Sequence, residues 1–192
     1  MSTIVVVKKG DRIAIGADTL TTYGGTRESA DYIVNHSKIM KFGPNFIASV
    51  GHASFGLVLQ SYFAQLRPRP MLDSAHAVFE MARPLHDALK EKYFLNPTED
   101  TDDPFESSQH QCLIANPHGI FGLYALRSVQ EYTRFYAFGS GYEFALGAMH
   151  AVYNSGLNSQ AIARAGLDAA IDFDKGSGAP VEIHSIQIKP AK

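Results

Sequence analysis

MSTIVVVKKGDRIAIGADT, residues 1–19, opens the chain with two strand-like runs and closes beside an aspartate. Thr3–Lys8 and Arg12–Asp18 read as antiparallel strands, joined by the turn Lys9-Gly10-Asp11 whose glycine and aspartate favour a tight bend. Such a start suits the first hairpin of any β-rich domain. It equally suits a chain whose own amino terminus is the catalytic group. Ser2 is small enough for the initiator Met1 to be trimmed, which leaves an α-amine and a hydroxyl on one residue.

Outward from this hairpin the texture alternates in blocks. The polar stretch TYGGTRESADY is followed by a second hairpin, Lys38–Phe42 and Phe46–Val50, around Gly43-Pro44. From Ala53, SFGLVLQSYFAQL carries apolar residues at helical spacing and stops before Pro68 and Pro70. Asp73 is the expected N-cap of a second helix reaching Tyr93, with a kink or early break at Pro84. Gln109–Asn116, Gly119–Arg127 and Thr133–Phe138 read as strands. Helices over Tyr142–Ser155 and from Ser159 to Phe173, then a strand over Val181–Ile188, complete the chain. Strands and helix pairs arriving in blocks predict an α+β fold of packed antiparallel sheets flanked by helices. A four-layer αββα sandwich absorbs these elements, although pattern alone leaves the topology open. No repeat or linker divides the chain, so residues 1–192 are expected to form a single domain.

Composition excludes several function classes. Seventeen Lys and Arg against 19 Asp and Glu give a formal charge of −2, so no electrostatic footprint for nucleic acid or an anionic membrane exists. No apolar run approaches the roughly 20 residues of a membrane span, and Ile4–Val7 is too short for a signal-peptide core. The cytoplasm is the expected compartment. Cys112 is the only cysteine and sits in a strand-like run, which predicts a buried, inert thiol. The eight histidines show no paired-ligand spacing. The acidic segment at 99–106 lacks the regular spacing and turn glycine of a calcium loop and reads as a solvated loop. FGSGYEF, residues 138–144, fails both as a nucleophile elbow and as a dinucleotide fingerprint. It remains a strand-to-helix turn with the Ser140 hydroxyl at a helix N-terminus.

The terminus is the chemistry that remains. An α-amine has an unperturbed pKa of about 7.7–8.0, so it can take the proton of its own residue's hydroxyl near neutrality. A neighbouring ammonium would lower that pKa and stabilise the developing alkoxide, and a carboxylate would hold the ammonium in place. Asp18 ends one strand and Lys38 begins another, so a sheet could bring both to one end. A backbone N–H at a glycine such as Gly51 could complete an oxyanion hole. Separately, each residue has a plainer reading: Asp18 and Lys38 as a strand-end salt bridge, Asp174 and Ser177 as turn formers.

Five segments together carry a resemblance. STIVVVKKGDRIAIGADT is similar to the TTIV…G…IAADT opening of proteasome β subunits and the bacterial HslV peptidase. SKIMKF matches that family's lysine segment, FIASVGHAS its glycine turn, YAFGSGYEFALGA its GSG-plus-helix motif, and DKGSGAPVEIHSI its late Asp-x-x-Ser-Gly segment. They occur in chain order across the whole length, and the chain most resembles bacterial proteasome homologues of β-proteobacterial type. The resemblance implies an N-terminal-nucleophile hydrolase fold and a threonine-type peptidase in which serine replaces threonine. Ser2 would be nucleophile and, through its amine, base. Asp18 and Lys38 would tune it, while Ser140, Asp174 and Ser177 would orient it. Gly51 would be the oxyanion donor, and Thr22 would begin the strand that pairs with an extended peptide.

Further implications are a self-compartmentalising double ring, two stacked heptamers forming a tetradecamer, with a dodecamer as the alternative, acting on peptides or unfolded protein. No metal or organic cofactor is required, and the sequence names no ATPase partner. Two other functions fit the same fold: an inactive ring or scaffold subunit with Met1 retained, or an amidohydrolase acting on a small amide. Two departures stand out. Serine lacks the methyl group that restricts threonine rotation, and His52 falls near the family's second glycine.

Overall fold

The computed structural model describes residues 2–98 and 102–189. Its two sheets are built from strands whose residue patterns set their burial. β1 (Thr3–Lys9) is apolar on both faces, as a strand covered on both sides must be. Ile4 and Val6 face the second sheet, while Val5 and Val7 face helices. β2 (Arg12–Asp18) pairs antiparallel with β1, Ile4 opposite Ala17, and places Ile13, Ile15 and Ala17 on the same inter-sheet face. The first sheet is completed by β10 (Phe135–Gly139) beside β1 and β11 (Val181–Gln187) beside β2.

The second sheet runs β5 (Ile39–Phe42), β6 (Asn45–Gly51), β7 (His110–Asn116), β8 (Gly119–Leu123) and β9 (Val129–Tyr132), antiparallel throughout. Its alternation is regular. Ala48, Val50, Leu113, Ala115 and Ile120 meet the first sheet, whereas Ile47, Cys112, Ile114, Phe121 and Leu123 meet α1 (Phe55–Gln65) and α2 (Ala75–Tyr93). On the other side α3 (Tyr142–Val152) and α4 (Ser159–Phe173) cover the first sheet through Ala145, Met149, Ile162 and Leu167. The layers are therefore helix, sheet, sheet, helix, the expected αββα sandwich. Fully burying each such aliphatic side chain stabilises by about 1.5–3 kcal/mol, so the inter-sheet layer rigidly fixes the strand ends that carry the site.

Local readings differ in instructive places. α2 continues through Pro84 without a break, because Pro84 sits on the solvent face while Met81, Ala82, Leu85 and His86 pack inward on either side. Ser74 rather than Asp73 caps α2, accepting from the Ala77 N–H, and Asn158 rather than Ser159 caps α4. The polar stretch after β2 contains a small hairpin, β3 (Thr21–Tyr23) with β4 (Thr26–Glu28). The strand expected over Gly119–Arg127 ends at Leu123 and turns into β9. Cys112 is buried, and that burial pushes its thiol up to about 12, consistent with an inert side chain. No helix among the described residues is long and apolar enough to cross a membrane.

Candidate active site

β1 and β2 deliver Ser2, Thr3 and Asp18 to one end of the first sheet. Asp18 is fully buried, and four donors occupy its carboxylate. Oδ1 accepts from the Thr3 N–H at 2.9 Å and from Lys38 Nζ at 2.7 Å. Oδ2 accepts from the N–H groups of Leu20 and Gly178, both at 3.1 Å. Lys38, just before β5, also donates to the Leu20 carbonyl at 2.7 Å. A buried carboxylate is tolerated only when so fully paired. Because Thr3 N–H and the ammonium share one oxygen, the Lys38 charge is held within one residue of Ser2. Burial pulls the Lys38 ammonium below the usual lysine value, against the opposing pull of Asp18.

A second network closes around the same terminus from the α4–β11 loop. Ser177 Oγ donates to Asp174 Oδ2 at 2.7 Å, so its contact of 2.7 Å with Thr3 Oγ1 must be one it accepts. Thr3 Oγ1 in turn accepts from the Gly141 N–H at 3.1 Å. The Thr3 hydroxyl is thus buried and committed as both donor and acceptor, in contrast to the half-buried Ser2 that lines the cleft. Ser140 donates its hydroxyl to Asp174 Oδ2 at 2.6 Å, and its N–H holds the Ser2 carbonyl at 2.8 Å. A hydroxyl has one proton, so the 3.5 Å approach of Ser140 Oγ to the same carbonyl is not a second donation. Ser140 therefore does not cap α3, whose N-cap position is Gly141. Burial pushes the Asp174 carboxyl up, but the bonds from Ser140, Ser177 and Gly176 outweigh it and hold the group below its usual value.

A cleft of about 310 Å³ opens at Ser2. Thr22, Lys38 and Gly51 line it, together with Ser49, His52 and Phe55. All eight residues singled out in the sequence therefore converge on one place. The sequence reading missed the donors that saturate Asp18, the Leu20 carbonyl that fixes Lys38, and the role of Thr3. It also missed Arg27, paired with Thr22 in the β3–β4 hairpin, whose guanidinium donates to the Lys175 carbonyl at 2.6 Å. Only the Ser-Thr pair at the strand start offered a signal for any of these. Glu99 and Asp100 of the acidic segment lie outside the described residues, while Glu106 pairs with Lys90 and His86. Among the described residues no cluster of three or more His, Cys, Asp or Glu is disposed to hold a metal.

His110, opposite Gly51 across the β6–β7 pair, adds a titration. Its burial, reinforced by the neighbouring His86, depresses its protonation, against the bond to the Ser108 carbonyl. A histidine whose folded value is depressed binds its proton in the unfolded chain first, so stability is full above about pH 6.5 and falls on acidification below it. Asp174 acts in a lower window: its contribution is full above about pH 3.9 and is lost as pH falls through its folded value. Melting temperature followed against pH in wild type and His110→Phe is expected to show the upper segment flattened in the variant. Superimposable pH slopes would contradict the assignment.

Comparison with known proteins places this arrangement. The chain is 26% identical over 201 residues to the proteasome subunit beta of Nanoarchaeum equitans, spanning 98% of this chain and 94% of that one. HslV from Trypanosoma brucei shares the fold, with a TM-score of 0.70 at 18% identity over 96% of this chain and 99% of its own. No family model matches. The layer order, with the site at the head of β1, defines the class of N-terminal-nucleophile hydrolase folds. BPH of Thiobacillus denitrificans, solved alone and in complex with epoxomicin, is 48% identical over 98% of this chain and 100% of its own, with TM-scores of 0.94 and 0.93. The chain belongs to the proteasome β-subunit family.

Proposed function

We propose that this chain is a peptidase subunit that hydrolyses peptide bonds with Ser2 as an N-terminal nucleophile, once Met1 is removed. The observation that carries this reading is the saturated Asp18 carboxylate, which ties the backbone of Thr3 to the Lys38 ammonium on a single oxygen. The α-amine of Ser2 takes the hydroxyl proton, and Oγ attacks the scissile carbonyl. The N–H groups of the Gly51–His52 turn stabilise the oxyanion. Collapse breaks the C–N bond, the amine passes its proton to the departing nitrogen, and an ester to Ser2 remains. Water, activated by the same amine, hydrolyses that ester. Lys38 favours the neutral amine and the developing alkoxide, and Ser140, Asp174 and Ser177 hold the terminus. Thr3 is disfavoured as nucleophile by the commitment of its hydroxyl to Ser177 and Gly141.

An extended peptide would pair with the backbone at Thr22, on a hairpin bordering the cleft. On this reading residues 1–192 form one subunit of two stacked rings, heptameric or alternatively hexameric, in the cytoplasm, acting on peptides or unfolded protein without a cofactor. The decisive experiment is the intact mass of the purified protein before and after epoxomicin, the ligand of the related BPH structure. Loss of Met1 and one adduct per chain, absent in Ser2→Ala, is the expected result. A stably retained Met1 with no adduct would overturn this reading in favour of a scaffold subunit.

A further inference from the structure

We propose that His110 is a positioning residue for the Gly51–His52 turn, held in place by a corner at residues 107–110 that is anchored through His86 to Glu106. This rests on the peptidase reading above, in which that turn supplies the oxyanion donors. The sequence reading left this acidic segment and these histidines without a role.

The turn has no slack against the corner. Gly51 adopts φ +143, and a Cβ there would lie 2.9 Å from the Gln109 carbonyl oxygen and 3.2 Å from both His110 Cβ and Phe55 Cδ2. His110 is only 3% exposed, and its ring stacks on Phe55 at 4.7 Å, the phenylalanine that lines the cleft. Any shift of the imidazole therefore moves both the backbone beside Gly51 and one wall of the cleft. The ring's own orientation is fixed by a single bond. Nδ1 lies 2.8 Å from the Ser108 carbonyl, which can only accept, so Nδ1 carries the proton. Nε2 is then a bare acceptor, buried and without a partner among the described residues. An apolar ring would fill this space without leaving an orphaned nitrogen, yet it would lose the bond to Ser108.

The corner is strained and stitched, as positioning elements often are. Gln109 takes φ +51 without being glycine. Its N–H donates to Ser107 Oγ at 3.0 Å, and its amide reaches the carbonyl of Asn96 at 2.6 Å. Ser108 Oγ meets His86 Nδ1 at 2.9 Å, and His86 Nε2 meets Glu106 Oε2 at 3.1 Å. Lys90 at 2.5 Å to the same carboxylate oxygen and Arg127 at 2.6 Å to the Glu106 carbonyl complete the anchor. A continuous set of polar contacts thus runs from a half-exposed glutamate to the residue opposite Gly51.

The test compares wild type, His110→Phe, His110→Asn and Glu106→Gln. It uses turnover of a fluorogenic peptide, inhibition by a peptide aldehyde, and thermal unfolding. The aldehyde forms a tetrahedral adduct on Ser2 and so reports on the oxyanion donors separately from ground-state binding. His110→Phe keeps the stack and is expected to lower kcat about 10–100-fold, short of the loss of a whole oxyanion donor. KM should stay unchanged and aldehyde affinity should fall in proportion to kcat. His110→Asn, which retains a donor near Nδ1, should recover part of kcat. Glu106→Gln, a surface change that leaves the core intact, should give a smaller loss of the same kind.

A folded His110→Phe with wild-type kcat and aldehyde affinity would overturn the proposal, and an unaltered Glu106→Gln would remove its anchor. If His110→Phe does not fold, Glu106→Gln and His110→Asn decide in the same way. A wild type that neither turns over peptide nor takes epoxomicin would sink the peptidase reading itself, and this inference with it.

Discussion

Lys38→Ala is expected to lower peptide turnover by about 10²–10³-fold while the subunit stays folded. Two effects compete here. Removing one partner of a buried ion pair commonly costs about 3–5 kcal/mol, because the other charge is left unpaired. Asp18, however, keeps the N–H groups of Thr3, Leu20 and Gly178, three of its four donors. The stability loss should therefore sit at or below the low end of that range, and the chemistry should carry most of the effect. Without the ammonium, the amine of Ser2 has no adjacent charge to depress its pKa, and the alkoxide has no counter-ion. Lys38→Met, which keeps the aliphatic stem, should fold better than the alanine variant and remain equally inactive. Steady-state kinetics with thermal unfolding on both variants makes the check. Undiminished turnover in a folded Lys38→Met would remove the lysine from the mechanism.

Gly139→Ala is expected to disable the site by moving the terminus itself. Gly139 lies opposite Thr3 in the β1–β10 pair at φ +104, a region that side chains rarely adopt. A Cβ would overlap the Ser2 carbonyl oxygen and come within 2.8 Å of the Ser2 carbonyl carbon. The carbonyl that Ser140 N–H now holds at 2.8 Å must then shift. A displacement near 1 Å can cost about 100-fold in rate, and the backbone strain adds about 1–3 kcal/mol of instability. Epoxomicin adduct formation, followed by mass, should slow in step with turnover. Wild-type labelling in this variant would show that the carbonyl contact does not place Ser2.

Much of the fold was legible because burial imposes periodicity on sequence. Thr3–Lys8 reads as a strand and is one, and the structure shows its apolar run Ile4–Val7 covered on both faces. Where a signal was local and competed with packing, the reading slipped. Of the kink or early break expected at Pro84, the break does not occur, since the lost backbone bond falls on the solvent side of α2. The hairpin β3–β4 was hidden in a polar stretch, because three-residue strands carry too few residues to show alternation. Caps slipped by one residue at Asp73 and Ser159, where two polar candidates stand side by side.

The candidate site divides in the same way. Ser2, Asp18, Lys38 and Gly51 were nominated by the chemistry of an N-terminal nucleophile, whereas Ser140, Asp174 and Ser177 were nominated only by the motifs the chain shares with the family. Which proton each holds was legible in neither. That Ser177 accepts from Thr3 while donating to Asp174 depends on three segments meeting, with 174 residues separating Thr3 from Ser177. So does the commitment of the Thr3 hydroxyl, which leaves Ser2 beside it as the residue facing the cleft. By itself the sequence determined the strand and helix pattern and the packed α+β class, since these follow from local periodicity. The αββα layering and most of the site set came from the resemblance of five ordered segments to a family. Only the tertiary structure decided which hydroxyl is buried, which carboxylate oxygen carries the lysine, and what backs the Gly51 turn. Hydrogen-bond direction and close approach are properties of atoms brought together from distant positions, and no local pattern encodes them.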